Sequence, residues 1–387
     1  WYKKLKNKKL MMSFAGQPYI DVRQSLNSFL PKDLPKKISD KLINHWLEKL
    51  KNNPILHDKI EFELAITCFS FDMALKFKEL IGSILTVKER KIYLNKIKKL
   101  TINCIDPESQ ISVKNTLKKI ENLEKKQSTF KKKYKIENLN LLINDCKKLG
   151  ILPFSILARH AFIATTLVNS FKNLNILNEK EAEEFFKSIK TITSEMIMDL
   201  NLTKKNKNNI INFKNKYGHL RPGTYDIMSQ RYDEKNYFNF NKKIKTEITF
   251  SEFKFTNKQK SQIKKLIIKD NFKNITFDIL IEYIKDAIAA REYSKFIFTK
   301  SISHILSTIS NYSNKKNIHK KIIPNLPINF FLQKKILKKN IIKVSKNNEE
   351  FHKITKSLKL PQIIHNSTNP FIAPFQINIP NFITSKK

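Results

Sequence analysis

Residues 277–300, FDILIEYIKDAIAAREYSKFIFTK, decide the class of fold. Phe277, Ile281, Ile284 and Ile288 recur at spacings of three and four, which draws one apolar stripe along a helix expected over about 276–310. Arg291 and Lys295 continue that stripe. Upstream, residues 37–51, 57–80, 86–100, 110–133, 136–148, 152–173 and 178–200 repeat with the same period, with breaks expected at KNNP, IGS, DPES and LGILP. Thr256 and Gln259, at capping-box spacing, mark one more helix start. The expected fold is mainly α: a multi-helix bundle with one long ordered loop and minor β elements near 13–30 and 245–251. Residues 1–36 read as a loop and extended segment joined to the core, 37–310 as the helical domain, and 311–387 as a Pro-punctuated C-terminal segment.

The formal net charge of +40 points at first sight to a polyanion. Only six of the 74 basic residues are Arg, however, and the Lys are spread along the whole chain. A phosphate-binding stripe clusters its charge and favours Arg for two-pronged contacts, so nucleic acid is not the expected partner. Cys68, Cys104 and Cys146 form no CxxC pair and are odd in number, which fits a reducing cytosol better than a disulfide framework or a zinc site. No His or Cys spacing suits a metal, and none is expected. No uninterrupted apolar run reaches the roughly 18 residues of a membrane span. The five glycines form neither a GxGxxG turn nor a Walker loop, so no nucleotide cofactor is expected in this segment. The chain begins with Trp, which suggests a piece of something longer.

Between the helices, residues 217–245 break the helical period for nearly thirty residues. Loops of that length in a compact protein are functional or disordered, and disordered segments are poor in aromatics. Tyr217, Tyr225, Tyr232 and Tyr237 therefore favour an ordered loop. Two of the five glycines, Gly218 and Gly223, lie here as loop-shaping residues, beside His219, Arg221 and Arg231. His219 is first a structural hydrogen-bonding residue and only secondarily a catalytic candidate. Arg159 shares a face with Ile156 and Ile163, and Arg291 continues its own stripe, so both need partners. Those partners are internal carboxylates such as Asp21, Asp226 or Glu292, or an anionic or hydroxylated ligand in a shared pocket, and both can hold at once. Asp21 and Arg23 add polar groups from the N-terminal loop.

The stretch YGHLRPGTYDIMSQRYDE, 217–234, resembles a segment of phosphoenolpyruvate-utilising dikinase-type proteins, the relatives of phosphoenolpyruvate synthase and especially the rifampin-phosphotransferase-like branch. SFAGQPYIDVRQSLNSFLPKDL near the start, HDKIEFELAITCFSFD at 57–72 and REYSKFIFTKSIS at 291–303 are similar to the same family. PNFIT near the end resembles the junction before its mobile phosphohistidine domain. The resemblance implies the helical, acceptor-binding middle of an ATP-dependent phosphotransferase, with ATP and Mg²⁺ used elsewhere in the complete enzyme. Its partners would be ATP-grasp and phosphohistidine domains of the same longer chain, and a hydroxylated or acidic small molecule. By position, His219, Arg221, Tyr225, Asp226 and Arg231 would support or line the acceptor site, facing Arg291 and Glu292. The chain lacks the ATP-grasp glycines and the phosphohistidine domain, so alone it would transfer no phosphate. The alternative is a stand-alone basic helical protein that binds polyanions.

Overall fold

The computed structural model describes residues 9–129, 135–203, 207–235, 237, 252–333 and 338–365. Its architecture is mainly α, with a single two-stranded sheet among the described residues. The chain divides into two compact units: 1–67, 76–93 and 349–387 form one, and 68–75 with 94–348 form the other. The boundaries expected at 36 and 310 do not coincide with this division.

The first unit opens with a hairpin of β1 (Met11–Phe14) and β2 (Gln17–Ile20), in register from Met11 opposite Ile20 to Phe14 opposite Gln17. Its two-residue turn, Ala15 at φ 48° and Gly16 at φ 82°, has the left-handed conformation at both positions that matches strand twist. Asp21 caps α1 (Val22–Asn27), and α2 (Lys36–Asn52) buries Leu42, Trp46 and Leu50. Residues at and just after the end of the Lys338–Ser357 helix hold the hairpin. Thr355 Oγ1 donates to the Ala15 carbonyl at 2.8 Å and Tyr19 donates to the Pro361 carbonyl at 2.6 Å.

The second unit is built around one helix. In chain order the remaining helices are α3 (Met73–Lys76), α4 (Val87–Ile105), α5 (Val113–Thr129), α6 (Leu139–Asp145), α7 (Leu152–Asn173) and α8 (Glu179–Ser188). They continue with α9 (Ile192–Leu202), α10 (Lys207–Tyr217), α11 (Asn257–Lys269), α12 (Phe277–Lys315) and α13 (Lys338–Ser357). The 39-residue α12 is the axis, and α7 and α5 make the broadest contacts with it. Its apolar stripe lies where periodicity predicts, with Phe277, Ile281 and Ile284 buried. The capping box at Thr256 and Gln259 starts α11 as expected.

Four expectations are corrected. Residues 57–80 are not one helix: short 3₁₀ and π turns flank an extended stretch in which Phe69 and Phe71 pack on Phe272. Their apolar residues serve a buried extended segment, which a helical period alone cannot distinguish. The break at LGILP is absent, because a π turn at Cys146–Ile151 carries the helix across Pro153, where the missing N–H would otherwise leave a gap. Gly150 is needed there, since a Cβ would lie 2.8 Å from Phe298 Cβ. The stretch 178–200 is two helices, split at Lys190 and restarted by a capping box of Thr191 and Ser194. The C-terminal segment contains α13, which its Lys and Asn content disguised. The β element expected at 245–251, the loop end at 238–245 and PNFIT lie outside the described residues.

One stretch, Ile136–Asn173, is long and apolar enough to cross a membrane, with a window of mean hydropathy 1.6 that is half buried inside the protein. Arg159 and His160 interrupt its apolar run, and α7 buries Leu157, Leu167 and Phe171 as a core helix does. The three cysteines are buried and unbridged, and burial pushes the Cys146 thiol up to about 11.

Candidate functional site

Residues 217–235 are an ordered loop whose ends close on each other. The Tyr232 amide donates to the Leu220 carbonyl at 2.9 Å and the Asp233 amide to the Gly218 carbonyl at 3.2 Å, the geometry of a compact Ω-loop. Apolar anchors fix it: Ile227 is buried with Ile305 and Phe330, and Tyr217 with Leu200 and Phe213. The Tyr217 hydroxyl donates to Asp199 Oδ2 at 2.8 Å, while Lys216 bridges Glu195 at 2.7 Å and Asp199 at 3.0 Å. The end of α10, where the loop begins, is therefore tied to α9.

Within the loop the charged residues face their own scaffold. Arg221 donates from Nε to Ser303 Oγ (3.3 Å), from Nη1 to the Ser229 carbonyl (2.5 Å) and from Nη2 to Ser307 Oγ (3.1 Å). It clamps the far turn of the loop to α12. Arg231 forms a two-pronged pair with Asp233 at 2.8 and 2.5 Å. Asp226 accepts from the Met228 amide at 2.8 Å, an Asx turn, and its side chain is exposed, as is Tyr225. Gly223 lets the backbone approach Asp226 and Ser229, and Gly218 lets it approach Lys214 and Asp233.

His219 is buried edge-on against Phe296, ring centroids 4.7 Å apart, and neither ring nitrogen has a hydrogen-bond partner among the described residues. Burial pushes its pKa down to about 3, with Lys300, His304 and Arg231 acting in the same sense; the Phe296 carbonyl opposes this weakly, without a hydrogen bond of normal geometry. A buried neutral imidazole walled off from solvent is a core residue here, and the catalytic expectation for it finds no exposed face.

The other expected residues are dispersed. Arg291 pairs with Glu292 at 3.1 Å, and Thr193 on α9 donates to the other Glu292 oxygen at 3.3 Å. Glu292 and Ser303 are eleven residues apart on α12, about 16 Å along the axis, so Arg221 and the Arg291–Glu292 pair do not share one site. Arg159 is half-buried on α7, and Lys295, expected on the core stripe, is exposed. Asp21 and Arg23 belong to the first unit. There Asp21 caps α1 through the Gln24 amide at 3.0 Å, and Arg23 donates to Asn44 at 2.8 Å. Of the two readings of Arg291, the internal carboxylate is the one seen, in Glu292, and the contacts described here are separate from one another.

A recess does exist one helix away. A cleft of about 610 Å³ opens beside α9 and α12, with lining residues from Lys190 and Thr191 and from α5. Leu117, Ile192, Met198 and Ala289 supply apolar walls; Asp286 and Tyr293 supply polar groups. The Tyr293 hydroxyl donates to Glu124 Oε2 at 2.5 Å, and burial and that carboxylate raise its pKa. Asp286 faces the open cleft, yet its surroundings and neighbouring Glu282 hold its carboxyl above the ordinary carboxylate range. Glu195, the partner of Lys216, lines the same cleft, so the end of α10 braces one of its walls. None of these lining residues was singled out in the sequence. The available signals were Thr191 and Ser194 at cap spacing inside an apparent helix, and acids four apart at 282 and 286.

Arg221→Ala is expected to lower the unfolding free energy by about 2 kcal/mol, the scale of three lost hydrogen bonds partly replaced by water. Arg221→Lys recovers little, because one ammonium cannot span three acceptors in a fork. Urea denaturation measures both; an unchanged midpoint for Arg221→Ala would return this side chain to a ligand-binding role. Compared with known proteins, the chain stands apart: no family model, no curated protein and no solved structure matches it.

Proposed function

We propose that the chain is the acceptor-binding helical portion of an ATP-dependent phosphotransferase of the phosphoenolpyruvate synthase and dikinase type, with the α9–α12 cleft as acceptor site and the end of α10, where it leads into the 217–235 loop, as its brace. The cleft carries this reading. Its 610 Å³ lies within the range of small-molecule sites, roughly 300–1,000 Å³, and such sites combine apolar walls with a few polar groups. Phosphoryl transfer depends chiefly on holding the acceptor oxygen in line with the donor. Among the cleft's polar groups is a carboxylate on its wall, Asp286.

ATP and Mg²⁺ belong, in this reading, to other domains of the complete enzyme. In this reading the phosphoryl group arrives on a histidine carrier domain, and no step uses ATP here.

Ala289→Phe, which places a ring in the cleft, tests the reading. Saturation-transfer NMR with hydroxylated aromatic and alicyclic alcohols is expected to show binding to the wild-type chain, weakened at least about tenfold in the variant, a change of about 1.4 kcal/mol. Equal binding by both proteins would move the site elsewhere. Binding of long DNA that falls steeply with salt and ignores the substitution would favour the polyanion alternative instead.

A further inference from the structure

The charge around the cleft runs against that of the chain. In a protein with 74 basic and 34 acidic residues, the lining includes Asp286 and Glu195 against one exposed lysine, Lys190. Behind that lining, Glu282 raises the Asp286 carboxyl, and Glu121 and Glu124 both act on Tyr293. Glu195 is committed to Lys216, but Asp286 has no hydrogen bond or ion pair among the described residues. The carboxylates come from three helices, Glu121 and Glu124 on α5, Glu195 on α9 and Glu282 and Asp286 on α12, so the acidic character belongs to the recess and not to one helix face. Tyr293 adds to it. A phenol donating at 2.5 Å to a carboxylate has an electron-rich ring, and a ring lining a cleft attracts cations through its face.

We propose that the α9–α12 cleft selects a small organic cation: an amine whose ammonium group sits between Asp286 and the Tyr293 ring while its apolar body covers Leu117, Ile192 and Met198. This rests on the cleft being a ligand site, as proposed above, and narrows the acceptor from any hydroxylated molecule to an amino alcohol. The chain's overall charge works against such a ligand everywhere else, because a +40 protein repels cations at long range. Preference for an amine therefore has to come from a local acidic site, which makes it a discriminating signal.

The test uses three probes of one shape: 4-phenylbutylamine, 4-phenylbutanol and 4-phenylbutyrate. Titration calorimetry on the wild-type chain is expected to rank the amine about tenfold tighter than the alcohol, the scale of one charge-assisted contact, with the acid weakest. Asp286→Asn is expected to remove the amine's advantage while leaving the alcohol unchanged. Equal binding of amine and alcohol, or an amine advantage that survives Asp286→Asn, overturns the proposal. Ala289→Phe separates the two levels of the argument. If the alcohol binds and loses its affinity in that variant, the cleft is a site and only the cation preference has failed. Binding of all three that is indifferent to both substitutions removes the cleft itself as the site and this proposal with it.

Discussion

Lowering the pH from about 7.5 to about 5 is expected to destabilise the second unit by about 6 kcal/mol, close to the whole stability of many domains. Three buried histidines are responsible. Burial depresses His160 to about 4, and His219 and His304 to about 3, against an ordinary value of 6.5. A base whose folded pKa is depressed binds its proton more readily when unfolded. Stability is therefore full above about pH 6.5 and is lost progressively as the pH falls toward the folded values. At pH 5 the unfolded chain gains about 1.5 pH units of protonation energy at each site, about 2 kcal/mol apiece. Since none of the three is charged in the folded state at that pH, their contributions add.

His160 shows the structural reason. Its Nε2 lies 2.9 Å from the Ile111 carbonyl, which can only accept, so Nε2 carries the proton and Nδ1 accepts from Tyr283 at 3.1 Å. A second proton at Nδ1 would displace the tyrosine donor in a fully buried site. Thermal denaturation followed by circular dichroism at both pH values checks the expectation. His219→Leu should flatten the pH dependence by about a third, since one of three equal contributors is removed. Equal melting temperatures at pH 7.5 and 5 would mean the imidazoles reach solvent in the folded state.

Gly218→Ala is expected to cost about 3 kcal/mol, at the upper end of overpacking in a rigid site. The cause is steric. A Cβ at this position would stand 2.2 Å from the Lys214 carbonyl oxygen and 2.8 Å from Asp233 Cβ. The backbone cannot simply withdraw, because the Gly218 amide donates to that same Lys214 oxygen at 2.7 Å and its carbonyl receives the Asp233 amide. Gly223→Ala should cost less, about 1 kcal/mol, since the nearest atom, Asp226 Cβ, is 3.0 Å away and has to give by only a few tenths of an ångström. Urea denaturation of the pair measures the difference. Hydrogen exchange at the Tyr232 and Asp233 amides localises it, because those two amides close the neck of the loop. Equal midpoints for the two variants would show that the neck is not the constraint.

Much of the secondary structure was legible. The stripe of α12, the capped start of α11 and the ordered character of an aromatic loop with two glycines all follow from short-range rules: a repeating period, a side-chain oxygen three residues from an amide, a close backbone approach. Those same rules misread 57–80 and merged α8 with α9, because an apolar residue reports that it is buried and not what it is buried against. α13 escaped notice because its own residues are mainly polar.

The sequence by itself determined that the chain is helical, that 217–235 would hold a defined shape, and which residues in it could carry charge. Only the tertiary structure decided where that charge points. Arg221 turned inward to Ser303 and Ser307, more than eighty residues away, and Arg231 turned to its neighbour Asp233. The cleft was wholly a tertiary outcome. Its walls come from residues near 117, 190–198 and 286–293, and none of these segments contains a gap. A period is a property of consecutive residues and survives in the string; a cavity is the volume left where side chains of separate helices fail to meet, and it exists only once they are packed.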